Sequence, residues 1–431
     1  SVKTDNMFWG FLLMRSGHNN YWVDVPLMFN NDLTHTRSSF AMRQWTRRLA
    51  GHERLILDSR PAPCDVGLLG PNGVGLDNTR KYMAISLQVA LSQAGFGLPR
   101  TDPAQLDSCK IVFAVGRQAV SPQEAERLRR YVADGGTLVF TPRFACQPEA
   151  QATEPAPPLR GTAANAVPGC GLADAWNFQV SERTDTVPQY HSAEMQAFPL
   201  DGLSPSLRGV KAAGLTVFRE HVRHEGWTTL AEYADHTPAI MTRRVGKGRL
   251  VYWNAVYQSH HYIQWVTPTG GERQGFYRLV EWLCEQAGAA RTLRLDGALD
   301  QVLHVAVKQF TDATGQIRYA ILRTSGEVPW VGGRLHWLGP QTAVCDVLGE
   351  HGSPKPGFSE KAEPVKPLPF VFRPGEGKLL AFTAAPLREV KLTPATPRLT
   401  AGQSLDLTVQ ILDAAGRPVA GAFPLELQVL C

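Results

Sequence analysis

Between Asp65 and Thr141 the apolar positions come in short unbroken runs separated by helical patterns. The runs are Asp65-Val66-Gly67-Leu68-Leu69, Ile111-Val112-Phe113-Ala114-Val115 and Thr137-Leu138-Val139-Phe140-Thr141. A strand buried on both faces needs such a run, whereas a half-exposed strand alternates. Two helices are predicted between them. One is capped by Asp77 or Asn78, runs to Ala94 and stops at Gly95. The other opens with Ser121-Pro122-Gln123-Glu124, which sets a hydroxyl at the cap, proline at the first helical position and glutamate three residues after the cap. It runs to about Ala133, and Asp134-Gly135-Gly136 ends it. Buried strands alternating with helices predict a parallel, doubly wound sheet.

From residue 147 to 225 this regularity is lost. Gln151 to Pro168 is rich in Ala, Pro and Thr and reads as an exposed insertion. Strand patterns return at Thr228–Tyr233, Ala239–Arg244 and Arg249–Asn254, the last two joined by the hairpin turn Val245-Gly246-Lys247-Gly248. Glu272–Ala287 is a predicted helix with Phe276, Leu279, Val280 and Leu283 apolar. From about residue 293 no helix is expected. Short alternating strands follow at His304–Val307, Tyr319–Leu322, Arg334–Trp337, Ala343–Val347 and Leu379–Phe382, the pattern of an antiparallel β domain. After Pro386, Val390-Lys391-Leu392 and Leu405–Ile411, with the turn Asp413-Ala414-Ala415-Gly416, resemble the first strands of an immunoglobulin-like sandwich.

The first 60 residues carry an apolar run, Phe8–Met14, a polar loop, Arg15–Asn20, and a strand pattern, Tyr21-Trp22-Val23-Asp24-Val25. A helix is expected from Asp32 or Thr34 to Leu49, with Gly51 as its stop. One strand and one helix cannot bury their own apolar faces, so these elements are expected to be the end of a larger sheet. The chain is accordingly expected to be cut at both ends.

Composition narrows the function classes. The 431 residues are 43% hydrophobic and 19% charged, with a formal net charge of +5. That length implies two to four domains. The small charge and the lack of a basic run with interleaved aromatics argue against nucleic acid. No apolar run reaches a membrane-spanning length. The start, Ser1-Val2-Lys3-Thr4-Asp5, has no signal-peptide pattern, and the compartment, cytoplasmic or secreted, is left open. The cysteines, Cys64, Cys109, Cys146, Cys170, Cys284, Cys345 and Cys431, are odd in number and form no C-x-x-C. Most read as small buried hydrophobes; a Cys146–Cys170 disulfide within the insertion is the alternative for that pair.

Candidate chemistry is sparse. An amidotransferase or cysteine peptidase needs a cysteine on a strand-to-helix elbow, but the strand at Ile111–Val115 runs into Gly116-Arg117-Gln118-Ala119-Val120. Gly70-Pro71-Asn72-Gly73-Val74-Gly75 follows a strand, yet it lacks Gly-x-Gly-x-x-Gly spacing, and no cofactor is expected. His221 and His224, and His260-His261, lack the helical context of a zinc pair and read as solvated. Gly246-Lys247-Gly248 lacks the phosphate-loop spacing. Trp227, Trp253 and Trp265, with Tyr252, Tyr257 and Tyr262, read as core or subunit-interface residues, or as a loop contributed to a neighbouring copy's site.

Three stretches carry a family resemblance: Ala50–Leu69, Leu106–Arg143 and Leu230–Asn254. In that order they resemble glycoside hydrolases of the family 42 β-galactosidase type. The resemblance implies a (β/α)8 barrel, then a glutamine-amidotransferase-like domain used in trimerisation, then β domains. On this reading residues 1–58 are the last barrel strand and helix. Residues 59–290 are the amidotransferase-like domain with an insertion at about 147–225, residues 291–386 an antiparallel β domain, and residues 387–431 the start of a sandwich. The resemblance implies hydrolysis of terminal β-galactosides by two carboxylates, expected before residue 1, and a homo-oligomer, trimeric in the family. Barrel active sites lie at the carboxyl ends of the strands, which makes His18, Asn20, Tyr21, Trp22 and Asp24 the candidate substrate-binding residues: aromatics to stack on a sugar ring and Asp24 to accept its hydroxyls. Burial of Tyr21 and Trp22 as core, with Asp24 in a turn, is the plainer alternative. For the whole chain the alternative is a binding or assembly protein that reuses an inactive amidotransferase-like fold.

Overall fold

The structure, a computed structural model, describes residues 58–72, 78–101, 103–148, 168–183, 195–215, 219–256, 270–324, 330–347, 367–373, 376–396, 398, 402 and 404–419. The described residues divide into two units, one from Pro63 to Arg291 and one from the residues before Pro63 together with those from Thr292 onward.

The first unit is built on a six-stranded sheet. Its strands are β1 (Val66–Leu69), β2 (Ile111–Ala114), β3 (Thr137–Phe140), β4 (Thr228–Glu232), β5 (Pro238–Val245) and β6 (Gly248–Trp253). Their order is β4-β5-β6-β3-β2-β1. The pairs β6–β3, β3–β2 and β2–β1 are parallel, and β4–β5 and β5–β6 are antiparallel. The continuous apolar runs form the parallel half, and every residue of β1, β2 and β3 is buried. Helices lie on both faces. Helix α2 (Pro122–Ala133) puts Leu128 and Val132 into one cluster with Leu138, Phe140, Leu250 and Tyr252. On the opposite face Phe276 of α4 (Gly270–Gln286) stands 5.4 Å from Trp253, and α4 packs against α1 (Asn78–Gln93). Gly275 lets α4 come close: a Cβ there would collide with the backbone of Lys211 and Ala212. The hairpin between β5 and β6 turns on Gly246, whose φ is +58°, as the Gly-Lys pair predicts.

The segment between residues 147 and 225 is less irregular than its sequence suggests. Past Pro168 it forms the short helix α3 (Leu172–Trp176), a strand pair Gln179–Arg183 with Glu220–Arg223, and a second pair Met195–Pro199 with Lys211–Leu215. Leu172, Trp176, Phe178 and Val180 are buried. The Phe140 ring lies 5.2 to 6.1 Å from the rings of Phe144, Trp176, Phe178, Trp227 and Tyr252. The part of the insertion from residue 149 to 167 lies outside the described residues.

The second unit is almost wholly antiparallel β. Its strands are β7 (Leu293–Asp296), β8 (Ala306–Thr311), β9 (Arg318–Arg323), β10 (Val331–Trp337), β11 (Ala343–Asp346), β12 (Leu368–Phe372), β13 (Gly377–Thr383), β14 (Leu387–Pro394) and β15 (Leu407–Asp413). Arg60–Pro61, β8, β9, β13 and β11 form one sheet, β7, β10 and β12 a second, and β14–β15 a ribbon. Trp337 of β10 stacks on Phe382 of β13 at 3.8 Å, which joins the first two sheets. Two details correct the sequence reading. A single helical turn, Leu299–Val302, interrupts a stretch expected to hold no helix. The strand expected from His304 starts at Ala306, because Val305 still donates its amide to Val302 in that turn. No helix among the described residues is long and apolar enough to cross a membrane.

Candidate functional site

His18, Asn20, Tyr21, Trp22 and Asp24 lie outside the described residues, as do Tyr257, His260, His261, Tyr262 and Trp265. The other aromatics of that group are core: Tyr252 is 1% exposed, Trp253 0% and Trp227 9%. His221 is exposed on its strand, and the His224 ring nitrogen Nδ1 lies 3.1 Å from the Val222 carbonyl. Among the described residues no group of three or more His, Cys, Asp or Glu is placed to hold a metal ion.

In a doubly wound sheet the place for chemistry is the carboxyl edge of the parallel strands. Here side chains tie described parts of that edge together. Asn72, after β1, donates its amide to the Ala119 carbonyl at 2.7 Å and accepts the Ala119 N–H at 3.0 Å. Asn72 is therefore latched to the segment after β2. After β2 the chain turns at Gly116, with φ +65°, and Gly116 N–H donates to Thr141 Oγ1 at 3.2 Å. Arg117 follows Gly116 in this turn. Its guanidinium donates twice to Glu124, at 3.1 and 2.9 Å, and Glu124 is itself fixed in the first turn of α2 by Ser121. Gln118 beside it is 1% exposed.

After β3 the backbone is strained at Arg143 (φ +70°) and Ala145 (φ +50°), a conformation that costs L-residues about 1–2 kcal/mol each. Hydrogen bonds hold it. Arg143 N–H donates to Glu220 Oε1 at 3.0 Å, and Ala145 N–H to the Arg117 carbonyl at 2.9 Å. Glu220 is 2% exposed. Its other oxygen accepts the Tyr252 hydroxyl at 2.8 Å. Asn254 accepts the Glu220 N–H, holds its Oδ1 3.0 Å from the Tyr252 oxygen, and donates to the Glu220 and Pro238 carbonyls. Tyr233 donates its hydroxyl to the Asn254 carbonyl at 3.0 Å, while the Arg219 guanidinium lies 4.8 Å from the Tyr233 ring and pairs with Asp235. This is a buried carboxylate with its acceptors used, the condition under which such a group is tolerated. Sequence reasoning missed it. Glu220 sits in a stretch with no periodicity, and its partners come from strands far along the chain.

Four of the described thiols are held neutral by burial. Burial pushes Cys64 up to about 12, Cys345 up to about 11 and Cys284 well above the usual thiol range, so the nucleophilic thiolate is suppressed. Burial raises Cys109 as well. Cys146 and Cys170 are free thiols rather than a disulfide, and Cys170 Sγ donates to the Val120 carbonyl at 3.3 Å. An open groove lined by Asp107, Lys110, Arg127 and Arg130 lies at the amino edge of β2 and β3. Two of its charges pair with each other: Arg127 binds Asp107 at 2.7 Å and holds that carboxyl below its usual range.

Residues 100–275 match the family model described as the β-galactosidase trimerisation domain. No curated protein sequence matches the chain. Solved structures share its fold. The β-galactosidase from Bacillus circulans sp. alkalophilus is 18% identical, with a TM-score of 0.55 over 83% of this chain and 47% of that one. Gan42B, a GH42 β-galactosidase from G. stearothermophilus, is 12% identical, with a TM-score of 0.53 over 83% and 46%. The β-galactosidase from Rahnella sp. R3 is 16% identical, with a TM-score of 0.50 over 75% and 41%. The chain thus spans less than half the length of these structures.

Proposed function

With a β-galactosidase trimerisation domain at residues 100–275 as the premise, we propose that the chain serves as the non-catalytic, C-terminal part of a β-galactosidase-like glycoside hydrolase. The whole enzyme would hydrolyse terminal β-galactosides with two carboxylates, one protonating the leaving oxygen and one attacking the sugar. This chain's contribution is assembly. The first unit, read as an inactive glutamine-amidotransferase-like fold, associates protomers into a homo-oligomer, a trimer by the family's description. His18, Asn20, Tyr21, Trp22 and Asp24 are assigned to the rim of the sugar site. The ribbon β14–β15 is read as the opening strands of an immunoglobulin-like sandwich.

The match over residues 100–275 is the observation that carries this reading. The turn after β2 is in keeping with it, because Gly116-Arg117-Gln118-Ala119-Val120 carries no cysteine or serine and Arg117 is committed to Glu124. The test is turnover of nitrophenyl β-galactoside by the purified 431-residue chain. The expected result is no release of nitrophenol above the buffer rate. Steady turnover that scales with protein concentration overturns the non-catalytic assignment.

A further inference from the structure

The ribbon β14–β15 has two unlike faces. In its register Val390 lies opposite Ile411, Leu392 opposite Val409 and Pro394 opposite Leu407. Residues opposite each other in a ladder point the same way, so these side chains share one face. Lys391 and Gln410, with Thr393 and Thr408, share the other. The apolar face is open: Val390 is 46% exposed, Leu392 48% and Val409 41%. Leu405 continues it, where Ala395 N–H still donates to the Asp406 carbonyl at 2.9 Å, and is 43% exposed. A two-stranded ribbon by itself is marginal in water, and a contiguous open apolar face marks a contact surface.

The same chain carries a cover of matching pattern. After β15 the turn on Asp413 brings the chain back beside the strand, where Val419 N–H donates to the Ile411 carbonyl at 2.8 Å. Residues 420–431 lie outside the described residues. Their sequence opens Ala420-Gly421-Ala422-Phe423-Pro424. Glycine weakens a ladder and proline lacks a donor for it, so this stretch favours leaving the β15 edge over extending it. From Phe423 the sequence alternates: Phe423, Leu425, Leu427 and Val429 are apolar, with Pro424, Glu426 and Gln428 between them. A period of two is the pattern of a strand with one buried face. Leu425 is six residues beyond Val419. That length of chain reaches about 20 Å, against roughly 10 Å between packed β layers.

From the open face, the short tether at Val419 and the alternation beyond it, we propose that residues 423–429 are the occupant of this face. They lie across the ribbon as the opposite layer, with Leu425, Leu427 and Val429 turned to Leu392, Leu407 and Val409. Glu426 and Gln428 then face solvent. The competing occupant is a second copy of the ribbon. The tethered segment wins because its link to Val419 sets an effective concentration in the millimolar range. Two ribbons laid face to face would also leave the apolar side of 423–429 uncovered. The proposal rests on the reading of the ribbon as the start of a sandwich and deepens it by naming the facing layer; it uses neither the hydrolase nor the assembly reading.

The test is hydrogen–deuterium exchange with mass spectrometry on the 431-residue chain, read on peptides from residues 387–413. Two variants place the same charge one residue apart: Leu427→Asp on the inner side and Gln428→Asp on the outer. Neither alters the ribbon's own sequence, so its intrinsic exchange is unchanged. The expected result is protected ribbon amides in the parent, exchange about tenfold or more faster in Leu427→Asp, and parental exchange in Gln428→Asp. Leu427→Ala, which adds no charge, should raise exchange by a smaller factor. It keeps the test decisive if Leu427→Asp unfolds the chain, which peptides from β1, β2 and β3 would reveal. A protected ribbon that is indifferent to Leu427, or loosened equally by both charges, overturns the proposal and leaves the sandwich reading with another facing layer. Parent ribbon amides that exchange at the unfolded rate overturn both. A fall in particle mass in Leu427→Asp by light scattering also overturns the proposal, because the face is then a contact between copies of the chain.

Discussion

Glu220 shows what a single residue does in this fold. It accepts the Arg143 amide and the Tyr252 hydroxyl from positions 77 and 32 residues away. It thereby anchors the strained turn after β3 to the last strand of the sheet. Glu220→Ala should cost about 2–4 kcal/mol in urea denaturation, because two buried donors lose their acceptor. A loss under about 0.5 kcal/mol, the range of ordinary surface substitutions, would contradict the anchoring role. Cys64 gives a pH-dependent counterpart. Its thiol is 3% exposed and is pushed from the usual 9.0 to about 12 by burial. The folded state keeps the thiol neutral where the unfolded chain ionises. Its contribution is therefore complete below pH 9 and is lost as pH rises toward 12, by up to about 1.4 kcal/mol per pH unit. The stability gap between the parent and Cys64→Ala should shrink when denaturation is repeated from pH 8 to 11. A gap that stays constant would show that Cys64 ionises alike in both states.

At the scale of elements, helix α2 is where sequence and structure agree most closely. Ser121 caps it through Glu124 N–H at 3.1 Å, Pro122 occupies the first helical position, and the helix ends at Ala133. Local chemistry sets all three, so they are legible in a short window. Ser121→Ala should cost about 1 kcal/mol by thermal or chemical denaturation, and a neutral result would mean the packed face of α2 alone fixes its start. Strands β1, β2 and β3 are legible for a similar reason, since burial on both faces demands continuous apolar runs. The strand pairs between Gln179 and Arg223 are not legible. They are four or five residues long, and their partners lie 12 to 44 residues away in the sequence, one pair being broken by a bulge at His221/Val222. Tertiary pairing, rather than local propensity, makes them strands. The functional site was less legible still. The sequence locates the turn at Gly116-Arg117-Gln118 but gives no sign that Arg117 is clamped by Glu124 or that Glu220 lies buried behind it.

At the scale of the whole molecule, two units carry separate tasks on this account. The first, with the β-galactosidase trimerisation domain match at residues 100–275, is the proposed seat of assembly. The second is antiparallel throughout its described sheets. Assembly is the central claim, and a trimerisation domain acts through mass rather than chemistry. Size-exclusion chromatography with light scattering on the purified chain tests it most directly. The account predicts a particle of three times 47.3 kDa that holds its mass on dilution through the micromolar range. A particle that stays at 47.3 kDa at high protein concentration would contradict it.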